Sequence, residues 1–258
     1  PIKVSINQFY GIEINDFACS VAQTALWIAE SQMMQETDEI VGFTIDPLPL
    51  KTYTNIREGN ALRMDWSLWP VKENTPSIYA RKTYVYPYPQ EEPNLLEEPA
   101  SHYGNIDLYT EELEIKTRRK ETQYEIIRFD YIMGNPPFIG YSMQTVDQKK
   151  DILSVLADEN GKSYKAAGKL DYVSGWYFKA AKMMQGNPKL KAALVSTNSI
   201  TQGEQVAGIW KPLTEYLGIH IDFAYRTFRW DSEANQKAHV HCVIIGFSIG
   251  TPVRHPRI

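Results

Sequence analysis

The chain has 258 residues, 43% of them hydrophobic and 22% charged, with a net charge of −4. That is the balance of a globular protein large enough to bury one sizeable core. No apolar run reaches membrane-spanning length and no basic-plus-apolar leader opens the chain, so a cytoplasmic location is expected. Two cysteines are too few for a disulfide framework; Cys19 and Cys242 both sit in apolar runs and are expected to be reduced core thiols. The charge is unevenly spread. Residues 1–83 carry 7 basic and 10 acidic side chains, 84–125 carry 4 and 10, and 126–258 carry 16 and 11, giving −3, −6 and +5. The last excess suits a phosphate backbone, and scattered solvated lysines explain it equally well.

In chain order, Phe9 to Ile14 reads as a buried strand that ends in Glu13. Asn15 or Asp16 then caps a helix whose apolar positions recur at Ala18, Val21, Ala22, Ala25, Leu26 and Ala29. A carboxylate at such a strand end can accept both hydroxyls of a ribose, and it equally suits the positive end of a helix dipole. Residues 40–58, with Asp46-Pro47-Leu48-Pro49, read as a loop and a short strand, followed by the apolar stretch Asn60 to Trp66. From 70 to 125 the texture changes to Tyr- and Pro-rich and acidic, suiting an irregular excursion with a short charged helix at Glu111 to Lys120. Asp107 with Glu114 and Lys116 is a faint nuclease-like cluster, set aside because the spacing is short and the surroundings are not strand-like.

The most informative stretch is Ile126 to Phe138, where an apolar run that reads as a buried strand stops at Gly134-Asn135-Pro136-Pro137-Phe138. Proline lacks an N–H and fixes φ, so the pair ends the ladder and stiffens the turn. The Asn135 side-chain oxygen and the Pro136 carbonyl are two acceptors with no N–H at 136 or 137 competing for them, which suits an exocyclic NH₂ with two hydrogens to donate. Held that way, the nitrogen lone pair faces an electrophile, and Phe138 can stack on the ring. A loop terminator with a core phenylalanine is the plainer alternative.

Beyond the turn, Ile139 to Ser142 continues a loop and Met143 to Leu156 is partly helical. Lys149, Lys150, Lys162, Lys165 and Lys169 mark a lysine-bearing loop, and Asp171 to Met184 an amphipathic helix. A strand follows at Ala192 to Ser196, with a polar end at Thr197-Asn198-Ser199, then a helix from Gly203 to Leu217 kinked at Pro212. Ile219 to Tyr225 and His239 to Phe247 are the last strands; His239 and His241 share a face without a third ligand, so they are structural and no metal is expected. The intervening loop, Thr227 to Ala234, offers Phe228 and Trp230 to a base pocket, with nothing to choose between them.

Asn-Pro-Pro-Phe after an apolar strand resembles the catalytic motif of S-adenosylmethionine-dependent amino-group methyltransferases. Together with Tyr10 to Ile14, Gly59 to Trp66, Ser196 to Gln205 and Ala238 to Phe247, it makes the chain similar to the DNA adenine-N6 methyltransferases of the MmeI-like family, which often join methylation to restriction. Residues 70–125 fall outside that resemblance. It implies an α/β, Rossmann-like class I methyltransferase sheet with helices on both faces. The domains expected are a partial cofactor-binding half at 1–69, an acidic insertion at 70–125, a catalytic half at 126–250 and the start of a linker at 251–258. The family's first strand and Gly-rich loop, expected before Glu13, are not found in this sequence, which suggests a piece of a longer protein that binds cofactor poorly by itself. The resemblance assigns Asn135, Pro136 and Phe138 to catalysis, Glu13, Asp65 and Trp66 to S-adenosylmethionine, and Tyr141, Phe228 and Trp230 to the substrate base. Double-stranded DNA is the implied partner, with a target-recognition domain and a nuclease as candidate companions in the full-length chain. The base has to be flipped out of the duplex for its amino group to be reached. Methylation of a protein glutamine or of ribosomal RNA guanine N2, or a non-catalytic DNA-binding module on the same fold, are the competing expectations.

Overall fold

The computed structural model describes residues 4–42, 55–70, 124–158, 160–231 and 239–250, with the side chains of Trp230, Asp231 and His239 outside that description. The chain divides into two compact units, one of residues 1–69 with 126–258 and one of residues 70–125. Of the second, only Pro70, Tyr124 and Glu125 are described. The expected charged helix at 111–120, the Asp107 cluster, the Asp46–Pro49 loop and the linker at 251–258 lie outside the described residues.

The first unit is mixed α/β. Strand β1 (Tyr10–Glu13) leads into helix α1 (Asp16–Val41) and then β2 (Asn55–Glu58), which pairs with β1 in parallel, Tyr10 opposite Asn55 and Glu13 opposite Glu58. Parallel pairing requires a crossover, and α1 is that crossover, packing on both strands. Its N-cap is Asn15, whose Oδ1 accepts from the Ala18 N–H at 2.8 Å, leaving Asp16 to the first turn. Its C-cap, Gly42, has φ 73°, the left-handed conformation that glycine adopts without penalty. Two short strands, β3 (Leu68–Pro70) and β4 (Tyr124–Ile126), stand at the two ends of the second unit.

A four-stranded sheet follows in the order β5-β6-β8-β7, from β5 (Tyr131–Gly134), β6 (Lys191–Thr197), β7 (His220–Asp231) and β8 (His239–Ser248). β6 runs parallel to β5, and β8 antiparallel to both β6 and β7. Helices α2 (Val146–Val155), α3 (Ser174–Gly186) and α4 (Gly203–Glu215) connect these strands, α4 with Pro212 inside it. Ala192, Leu194 and Ser196 of β6 are buried on one face against the core, where Tyr177 of α3 stacks on Phe247 at 5.2 Å and shares a 2.8 Å hydrogen bond with the Ser196 hydroxyl. Both cysteines are free and buried. Among the described residues no helix is long and apolar enough to cross a membrane.

Three expectations change. The strand ending in Glu13 is not buried: Tyr10 to Ile12 are half-buried, and Phe9 and Ile14 are 44% and 65% exposed. The apolar run from 126 to 133 is not one buried strand: β4 ends at Ile126, β5 starts at Tyr131, and Tyr131 and Met133 are 70% and 79% exposed. Tyr131 and Met133, two apart, share one face of β5, and that face is left uncovered. The loop expected from Thr227 is strand as far as Asp231, because β8 continues to pair with it, Phe228 opposite Cys242 and Trp230 opposite Val240. Register shifts between Ile221 and Phe223 and between Tyr225 and Phe228 absorb the extra residues.

Gly246 in the middle of β8 lies against the Phe223 ring, and a Cβ there would overlap it. Gly246→Ala is expected to cost about 1–3 kcal/mol of stability, read by urea denaturation.

Candidate functional site

The ends of β1 and β5 open onto one cavity of about 690 Å³. That volume lies within the range of cofactor and small-ligand sites. Its walls come from Tyr10 to Ile14, from the turn after β2 (Gly59, Asn60, Ala61, Arg63, Trp66), from Tyr131 to Pro137, and from Asp147, Gln148 and Asp151 of α2 with Tyr172 and Trp176 beyond it. Ligands of open α/β sheets bind at such carboxyl ends of strands.

The turn after β2 is built tightly. Gly59 has φ 154°, its N–H donates to the Glu13 carbonyl at 2.7 Å, and a Cβ there would overlap the Met64 sulfur. Asn60 closes the next turn through its Oδ1, which accepts from the Leu62 N–H at 2.9 Å. Its Nδ2 donates to Asp151 Oδ2 at 3.0 Å, while Arg63 Nε donates to Asp151 Oδ1 at 2.7 Å. Asp151 is 8% exposed, so both of its oxygens are satisfied inside the protein. That carboxylate holds the Arg63 guanidinium above its ordinary pKa. Burial raises the Tyr172 phenol, which leans on the same cluster. The Trp66 indole N–H donates to the Ala61 carbonyl at 2.8 Å, fixing the ring in the cavity wall.

On the other side, Pro136 is buried and Asn135 is exposed, its carboxamide making no hydrogen bond to the described residues. The loop behind them is pinned by Tyr172 N–H to Ile139 O at 2.9 Å and by Tyr141 N–H to Asp171 Oδ1 at 3.0 Å. Asp171 Oδ2 accepts from the Ser199 hydroxyl at 2.7 Å, which joins the loop to the end of β6.

Of the residues expected from the sequence, Glu13, Trp66, Asn135 and Pro136 share the cavity wall. Asp65 does not line it. Its Oδ1 accepts from the Ser67 N–H and hydroxyl at 2.8 and 2.6 Å, and these bonds hold its carboxyl below the usual range. Phe138, half-buried, is also outside the wall, and Tyr141 borders a separate groove with Lys169, Ser199 and Gln205. Phe228 is half-buried on β7 away from the cavity, and the Trp230 side chain lies outside the described residues. Tyr172 was nameable only through the resemblance, which puts the acidic-aromatic pair Asp171-Tyr172 near the pocket; Arg63 and Asp151 were not singled out from the sequence, because nothing local in it signals contacts across some ninety residues, as in the Asn60–Asp151 bond. Among the described residues no group of three His, Cys, Asp or Glu side chains is placed to hold a metal.

A family model of the MmeI DNA-methyltransferase domain matches residues 1–257, which includes the 70–125 segment outside the expected resemblance. The chain belongs to that family. Among curated relatives, this MmeI-type domain is 35% identical over 247 residues to DNA methyltransferase A of Bacillus subtilis (strain 168), covering 95% of the domain and 21% of the relative. A solved structure of the Type IIL restriction-modification enzyme MmeI in complex with DNA matches with a TM-score of 0.67 at 36% identity, covering 98% of the domain and 26% of that chain. The MmeI-type domain thus spans about a quarter or less of these proteins.

Asp151→Ala removes both acceptors that tie α2 to the Asn60–Trp66 turn. We expect Tm to fall by roughly 2–8 °C in differential scanning calorimetry, with Asp151→Asn falling less.

Proposed function

We propose that this domain transfers a methyl group from S-adenosylmethionine to the N6 amino group of an adenine turned out of duplex DNA. The observation that carries the reading is the Asn135 carboxamide, exposed and unbonded among the described residues, in one cavity wall with Pro136, Glu13 and Trp66. An exposed amide with no protein partner has its acceptor free for a ligand.

The residues present fit the cofactor. Glu13, Asp147 and Asp151 face the cavity against the single guanidinium of Arg63 among the described lining residues, a balance that favours a cationic ligand such as a sulfonium. Glu13 at the end of β1 is placed for the ribose hydroxyls and the Trp66 ring for the adenine face, with Asp65 bracing that turn through Ser67. When bound, S-adenosylmethionine supplies an electrophilic methyl group.

The protein's part is orientation. Asn135 Oδ1 and the Pro136 carbonyl accept the two amino hydrogens of the base, which aims the nitrogen lone pair at the methyl carbon. As it took the methyl group, the amino group of the base would lose one proton to solvent. No covalent intermediate with the protein is required. In this reading β1–β2 and β5–β8 are parts of one Rossmann-like sheet with helices on both faces, since the ends of β1 and β5 open onto the same cavity. The domain acts within a larger cytoplasmic restriction-modification polypeptide whose target-recognition domain lies elsewhere.

Asn135→Ala is expected to lower methylation at least about a hundredfold, the scale for losing one positioned polar group, with the melting temperature unchanged. The measurement is N6-methyladenine in duplex DNA by mass spectrometry; retained turnover, or methyl groups on another atom, overturns the assignment.

A further inference from the structure

We infer that Lys179 is a positioning residue for cofactor binding: its ammonium braces, from beneath, the turn that presents Trp66 to the cavity. The inference rests on the reading of that cavity as the S-adenosylmethionine site. Lys179 lies on α3 and does not itself line the cavity. Its Nζ donates to the Leu62 carbonyl at 2.8 Å and stands 5.5 Å from the centre of the Trp66 ring. One turn earlier on α3, Gly175 lets Leu62 approach so closely that a Cβ at 175 would stand 3.0 Å from Leu62 Cδ1. Helix and turn are therefore in direct contact, and the amine is the polar part of that contact.

Two charged groups act on it: Asp65, on the turn, favours the ammonium, and Lys182, on its own helix, opposes it. Burial outweighs Asp65 and brings the amine down to about 8, from 10.5. Above that pH the neutral amine still donates to Leu62, but its attraction to the Trp66 face and to Asp65 is gone. The turn then loses part of what fixes the indole plane, and an adenine ring packing on it is held less well.

The direction separates this role from a structural one. Because the folded state lowers the pKa of Lys179, deprotonation between about 8 and 10.5 makes folding more favourable, not less. A fall in cofactor affinity over that range therefore cannot come from loosening of the fold by this group.

The test is the Kd of S-adenosylmethionine by calorimetry at pH 7 and pH 9, for the full-length protein that contains this domain, unaltered and as Lys179→Arg, which keeps its charge. The cofactor's own amino group titrates in both and cancels in the ratio of the two constants. We expect the unaltered protein to weaken roughly three- to tenfold relative to the arginine variant between those pH values; a ratio that does not change overturns the inference. Should the arginine variant not fold, a lysine-selective NMR titration of the unaltered protein reads the same proton, with the resonance assigned by its loss in Lys179→Met. By reciprocity, bound cofactor should raise that pKa, and an unmoved pKa overturns the inference equally. If S-adenosylmethionine binds neither protein at any pH, the cofactor reading of the cavity fails and this inference with it; a bound cofactor with a flat ratio removes this inference alone.

Discussion

The cavity depends on a carboxylate that belongs to neither of the motifs flanking it. Asp151 joins the turn after β2 to the helix that follows the Asn-Pro-Pro corner, across 91 residues to Asn60 and 88 to Arg63. Among the described residues β1–β2 and β5–β8 are separate sheets, and beyond the Ile127 N–H to Ser67 carbonyl bond at 2.8 Å the backbone does little to join the two walls. Side chains do it: Asp151 with Asn60 and Arg63, Lys179 with Leu62, and the Tyr10 ring edge-on to Phe129 at 5.1 Å. A buried carboxylate is costly to desolvate, and it persists here because both oxygens are bonded and one partner is charged.

The Asn135 corner works by a different economy of constraint. Two prolines remove two N–H groups and fix two φ angles, so the carboxamide stands at the end of β5 with little backbone freedom to lose on binding. The loop that follows is held by its neighbours' groups, Tyr172 N–H on Ile139 and the Asp171 carboxylate on Tyr141 N–H. Asp171 also receives the Ser199 hydroxyl, so the polar end of β6 and the loop after β5 are fixed by one side chain.

Local rules made much of this legible. The Asn15 cap, the strand ending in Glu13, the helix through Tyr177 and the strands read at 192–196 and 239–247 follow from periodicity and capping chemistry, with the observed strands a residue or so longer. Glu13, Trp66, Asn135 and Pro136 were nameable because each stands beside a local signal: a strand end, an aromatic after a carboxylate, a proline pair. What stayed hidden was set by tertiary context. An apolar run cannot say which of its faces opens onto a cavity, so the exposure of Tyr131 and Met133 was not foreseen. β7 outruns its apolar pattern because cross-strand pairing and two register shifts carry it through Arg226 to Asp231. Asp151 and Lys179 look like ordinary charges on amphipathic helices, and their importance lies wholly in partners far away in sequence.

The distribution of charge ties the cavity to its surroundings. Inside, carboxylates outnumber the lone arginine among the described lining residues, which favours a positive guest and disfavours a polyanion entering deeply. Outside, Lys149, Lys150, Lys162, Lys165 and Lys169 are all exposed on the segment between the Asn-Pro-Pro corner and α3, and only Lys150 is paired, with Asp147 at 3.8 Å, among the described residues. A nucleic-acid backbone held by such lysines would stay at the rim, and only a neutral base would pass the acidic wall. On the proposed reading the two signs of charge sort the parts of one substrate, because the phosphates keep their charge and stay with the lysines while the extruded base carries none.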